Sequence, residues 1–158
     1  MTPMRAIASD AEIDFLRAVL ARDGAAWVRE AGASMAPLLC PDDALRLVPL
    51  DRARARRGMV VGVVADGRLV VHRLVRVAHD RLVARGDALA WSDAPVPPQA
   101  LVGRVAGLRT PDGGELDFTR GAWPFFERLL GALAAWSGPS PARLPLRAVC
   151  HALARLAR

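Results

Sequence analysis

The chain of 158 residues contains no lysine, no asparagine and no tyrosine, and all 22 of its basic residues are arginine. The missing lysine excludes a Ser–Lys dyad, a Schiff-base lysine and a phosphate-loop lysine. Arginine cannot replace it as a base, because its guanidinium stays protonated. Cysteine is scarce: Cys40 and Cys150 are too few for a disulfide framework or a zinc site, so buried free thiols are expected and no metal or cofactor is. Long apolar runs are also missing. The best candidate, Leu129 to Trp136, is far short of the roughly 18 residues that a membrane-spanning helix needs. Near the N-terminus, Asp10, Glu12 and Asp14 stand where a secretory signal would carry its apolar core. A cytoplasmic protein is expected.

The net charge of +6 suits an acidic surface: nucleic acid, anionic lipid or an acidic peptide. No helix-turn-helix pattern, Cys/His finger or aromatic–basic strand accompanies it, so nucleic acid is not the expected partner. The length fits a single core-bearing unit.

Three regions follow along the chain. Residues 1–24 hold a short amphipathic helix. Ile13, Leu16, Val19 and Leu20 recur at helical spacing, with Asp10 as the expected N-cap and Gly24 as the stop. Residues 25–110 hold short Val- and Leu-rich runs: AAWVREAG, ALRLVPL, GMVVGVV, RLVVHRLVRV, DRLVARG and ALVGRVAGL. Turn signals separate them, which predicts a mainly β, antiparallel domain. The clearest hairpin pairs Met59–Ala65 with Arg68–Val77 around Asp66-Gly67, a favoured two-residue turn. Residues 119–158 form a basic helical tail, Trp123 to Trp136 and Leu144 to Ala157, joined by SGPSPAR. Its arginines and aromatics fit either helices packed on the β-domain or a surface helix on anionic lipid.

Few side chains here can supply a nucleophile and its base. His72 is one of only three histidines and sits inside RLVVHRLVRV. Alternation places Val70, His72 and Leu74 on one face and Leu69, Val71, Arg73 and Val75 on the other. Ser34 lies in Gly32-Ala33-Ser34-Met35-Ala36-Pro37, a turn leaving the strand expected at Ala26–Ala31. Small residues before the serine admit close backbone approach. Asp87 and Asp93 both follow the strand Arg81–Arg85 in turn context.

In this order the residues resemble the type I signal peptidase family. Ser34-Met35-x-Pro37 matches its serine box, and Val71-His72-Arg73 the box in which the archaeal and endoplasmic-reticulum branch carries histidine in place of lysine. Gly86-Asp87 with Asp93, and then Leu101-Val102-Gly103-Arg104-Val105, match the acidic box and the strand after it. The resemblance covers Gly32 to Leu108 and is to an atypical member with no transmembrane anchor. It implies a signal-peptidase- and repressor-protease-like antiparallel β-fold. It also implies a serine endopeptidase that cleaves an extended leader or pro-peptide after small residues. Ser34 would be the nucleophile, His72 the general base, and Asp93 the third member of a Ser-His-Asp triad, with Asp87 the accompanying acid. Spacing alone leaves either aspartate able to meet His72. Gly32, Met35 and Val71 are expected to line the substrate site. The implied partner is a peptide or precursor protein, with peripheral docking at the inner membrane face through the basic tail. The alternative is a catalytically inactive peptide-binding module of the same fold. A self-cleaving repressor fits worst, since it needs a Ser–Lys pair.

Overall fold

The structure is a computed structural model that describes residues 9–135 and Ala152. Helix α1 spans Asp10–Asp23. Its N-cap is Ser9, one residue before the expected Asp10. The Ser9 side chain accepts from the Glu12 N–H, and its hydroxyl donates to the Glu12 carboxylate at 2.9 Å. The Ser9 hydroxyl thus accepts from the main chain of Glu12 and donates to its side chain, which satisfies one free N–H of the first turn. Gly24 closes the helix, its N–H bonded to the Leu20 carbonyl. Ile13, Leu16, Val19 and Leu20 are all buried. Each contributes about 1.5–3 kcal/mol by burial, which anchors a helix too short to persist alone.

The strands are β1 (Ala26–Arg29), β2 (Ala44–Val48), β3 (Val60–Ala65), β4 (Arg68–Val77), β5 (Leu82–Arg85), β6 (Leu101–Arg109) and β7 (Glu115–Asp117). They form one seven-stranded sheet in the order β1-β2-β6-β3-β4-β5, with β7 also on β6. All pairings are antiparallel. β1 stops two residues short of the expected Ala31, and β7 carries the sheet past the expected limit at residue 110. The β3–β4 hairpin turns at Asp66-Gly67, both at positive φ, with Ala65 opposite Arg68. Two left-handed residues in succession are what a tight hairpin needs.

Each face of the sheet carries its own apolar cluster. One gathers α1 with β1, β2, β6 and Met35, Leu38 and Leu39, and includes Trp123 and Leu130 of helix α2 (Trp123–Ala135). The other gathers Met59, Val61 and Val63 with Leu74, Leu82 and Ala84. The helices and the sheet therefore share a core. Trp123 is buried and stacks on Phe118 at 4.1 Å between ring centroids. The aromatic face of α2 is used for packing, and only Phe125 of it stands well exposed. The expected second tail helix, Leu144–Ala157, and Cys150 lie outside the described residues apart from Ala152. Cys40 is half-buried, and its thiol donates to the Pro37 carbonyl.

Candidate active site

β4 presents two polar side chains in succession to opposite faces of the sheet. His72 pairs in register with Val61 of one apolar cluster, and Arg73 with Val60 of the other. Both are buried, yet they meet different acids. The Arg73 guanidinium donates from Nε to Asp87 Oδ1 at 2.8 Å and from Nη2 to Asp87 Oδ2 at 2.6 Å, and Nη1 bonds the Gly58 carbonyl. On the other face, His72 Nδ1 lies 2.6 Å from Asp93 Oδ2, and His72 Nε2 lies 2.9 Å from Ser34 Oγ. Asp93 is therefore the acid on His72, and Asp87 is committed to the core pair.

The main chain explains how distant segments converge. Ser34 opens a run of turns that ends at Leu39. The loop after β5 is sewn to it by the Ala88 N–H, which donates to the Ser34 carbonyl at 2.8 Å. Gly86 allows that approach: a Cβ there would lie 2.5 Å from the Ser34 carbonyl oxygen. Farther along, the Asp93 N–H donates to Ala84, and Val96 pairs with Leu82 in both directions. The loop is thus fixed at both ends, and Asp93 returns to the rim of β5 beside His72. Its carboxylate keeps 27% side-chain exposure against 7% for His72. Ser34, at the hydroxyl end of this chain, is half-buried.

Two expected substrate residues are placed elsewhere. Met35 is fully buried in the core with Leu38 and Leu39. The turn that exposes Ser34 directs the next side chain inward. Val71 packs against that same core, on the face opposite His72, because neighbouring strand residues alternate. Gly32 does border the serine: a Cβ on it would lie 4.0 Å from Ser34 Oγ.

Glu30 was not singled out from the sequence. It follows β1 and continues the inward positions of Ala26 and Val28. Its Oε1 accepts the Gly32 N–H at 2.9 Å. Burial pushes its carboxyl pKa up, and the Gly32 and Ala31 N–H groups and nearby His72 oppose that rise, while Asp43 adds to it. An acid at an inward strand position was the available signal.

The described residues contain no group of three or more His, Cys, Asp or Glu able to hold a metal, and no helix long and apolar enough to cross a membrane. No protein-family model matches the chain, and no curated protein matches it in sequence.

Proposed function

We propose that the protein is a serine endopeptidase in which Ser34 attacks, His72 serves as general base and Asp93 orients the imidazole. The supporting observation is the continuous chain Ser34 Oγ, His72 Nε2, His72 Nδ1, Asp93 Oδ2, with links of 2.9 and 2.6 Å. A serine hydroxyl is a weak nucleophile until a base takes its proton. With Nδ1–H donated to Asp93, Nε2 turns its lone pair to the Ser34 hydroxyl. As Oγ bonds to the peptide carbonyl carbon, the proton moves to Nε2. It then passes to the leaving amine when the C–N bond breaks, which leaves an acyl ester on Ser34. Water repeats the proton transfer through His72, releases the acid and restores the hydroxyl. Asp93 stabilises the transient imidazolium without taking the proton.

The Ser34 N–H is the main-chain donor assigned to the oxyanion in this reading. The Gly32 N–H is occupied by Glu30 and does not serve. The substrate is read as an extended peptide with small residues before the cut, by resemblance to the signal peptidase family. An extended chain adds main-chain hydrogen bonds alongside the segments that flank a nucleophile.

The test is reaction of the full chain with a fluorophosphonate and cleavage of an Ala-x-Ala peptide. Both are expected in the wild type, with the label on Ser34, and both are lost in Ser34→Ala with unchanged unfolding. Cleavage that persists in Ser34→Ala overturns the assignment. Peptide binding with neither label nor cleavage makes the chain a binding module.

A further inference from the structure

Glu30 is an unusual choice for its place. Its neighbours in alternation, Ala26 and Val28, are core residues, and Glu30 itself is only 9% exposed. Glutamate is rarely buried unless paired, because losing hydration penalises the carboxylate. No arginine bonds it among the described residues, and its Oε2 is buried with no hydrogen-bond partner there. A buried polar atom left in this condition calls for an explanation. A methionine would fill such a position at less cost.

The bonds around Glu30 supply the explanation. Its main chain ties the two ends of the serine loop together: the Glu30 N–H donates to the Asp43 carbonyl, and the Asp42 N–H donates to the Glu30 carbonyl. Its side chain reaches forward to the Gly32 N–H. One residue thus closes the loop at its base and fixes its first turn, two residues before Ser34. That turn has no regular secondary structure to define it.

We infer that Glu30 is a positioning residue for Ser34: its carboxylate holds the Gly32 N–H, and the turn so fixed delivers the Ser34 hydroxyl to His72. The inference rests on the peptidase reading only for its kinetic consequence. The hold on Gly32 is a structural statement that can be measured separately. Misplacement of a nucleophile by about 1 Å costs on the order of 10²-fold in rate. A residue retained for that purpose trades stability for geometry.

The test compares Glu30→Gln with Glu30→Met in the full chain. Both have nearly the volume of glutamate, but only glutamine keeps an acceptor for the Gly32 N–H. The readouts are amide exchange at Gly32 by NMR, the rate of Ser34 modification by a fluorophosphonate, kcat and KM on the peptide, and denaturant unfolding. Glu30→Met is expected to unfold at equal or higher denaturant and to exchange Gly32 about tenfold faster or more. Its Ser34 modification and kcat should fall between about 10- and 100-fold, with KM little changed. Glu30→Gln is expected to restore exchange and rate towards wild type. A merely structural role would move stability and rate together, and that outcome overturns the inference. So does wild-type Gly32 exchange in Glu30→Met, or fast exchange with an unchanged rate. A wild type that does not react at Ser34 defeats the peptidase reading instead, and Gly32 exchange then still decides whether Glu30 holds the turn.

Discussion

Arg73 and Asp87 face each other side-on through two hydrogen bonds, 2.8 and 2.6 Å, with side-chain exposures of 0% and 2%. This pair lies directly behind the candidate site, one residue along β4 from His72. It binds the loop after β5 into the core, and the loop in turn carries Asp93 back to His72. Removing one partner of a buried pair strands the other charge. Asp87→Ala is expected to cost about 3–5 kcal/mol of stability in denaturant unfolding. A loss below about 1 kcal/mol would mean that the pair contributes little to holding the loop.

Asp93 carries a different consequence because it is partly exposed at the rim. Asp93→Asn keeps the shape, removes the charge and puts an amide donor where a carboxylate oxygen faces Nδ1, which selects the wrong tautomer. The expected result is a fall in kcat of about 10⁴-fold with unfolding near wild type. Kinetics and unfolding measured on the same preparation separate the two aspartates: Asp93 should govern rate and Asp87 stability. Equal effects of the two substitutions on both quantities would contradict this division.

Gly86→Ala probes the contact between the loop and the serine turn. The added Cβ would meet the Ser34 carbonyl oxygen at 2.5 Å and Leu89 side-chain atoms at 3.0 Å. Backbone must move to admit it, at about 1–3 kcal/mol. Because the displaced atom belongs to Ser34, its modification should slow by about 10-fold or more, as for small misplacements of reacting groups. An unchanged rate would mean that the turn relaxes without moving Oγ.

Glu127 of α2 provides a pH-dependent stability. Burial pushes its carboxyl above the ordinary value, and Arg104, bonded to it at 3.1 Å, together with Arg73 and Arg56, opposes the rise. The folded chain therefore holds this proton more tightly than the unfolded chain. Between the ordinary carboxylate range and the raised value, wild-type stability falls as pH rises, and above that value the penalty is complete. Glu127→Gln lacks the titration. Its unfolding free energy relative to wild type should climb as pH rises through the ordinary carboxylate range and level off once pH passes the raised value. Glu30 titrates in both proteins, so its contribution cancels in the difference. A difference that is flat with pH would contradict the shift.

Much of the fold was legible along the chain. Each of the six Val- and Leu-rich runs contains a strand, because alternating apolar residues need a sheet to bury one side. The hairpin at Asp66-Gly67 followed from backbone preference alone. β7 escaped notice because its three residues, Glu115, Leu116 and Asp117, carry one apolar side chain and gain strand identity only by pairing with Gly107–Arg109 of β6. The helix cap was misplaced by one residue because Ser9 and Asp10 are both good caps locally, and the reciprocal bond to Glu12 decides between them. Aromatic and basic residues in α2 read first as a core face, with a lipid or partner face as the alternative. Trp123 took the core because Phe118 and the sheet lie against it.

For the site, the sequence alone determined the inventory: one serine in a tight turn, one strand histidine, two acids after β5, and no lysine to compete as base. Those are chemical facts about side chains and local periodicity. Only the tertiary structure decided the pairing. Asp87 and Asp93 are six positions apart in an irregular loop, and either could in principle reach β4. Alternation sends His72 and Arg73 to opposite faces of the sheet, and the loop bends around the strand edge. The first acid is thus delivered into the core with Arg73, and the second to the rim with His72. The same long-range packing buried Met35, laid the half-buried Val71 against the core and brought Glu30 beneath the serine turn. Which face a loop closes over depends on contacts between residues far apart in the chain, and no local pattern encodes it.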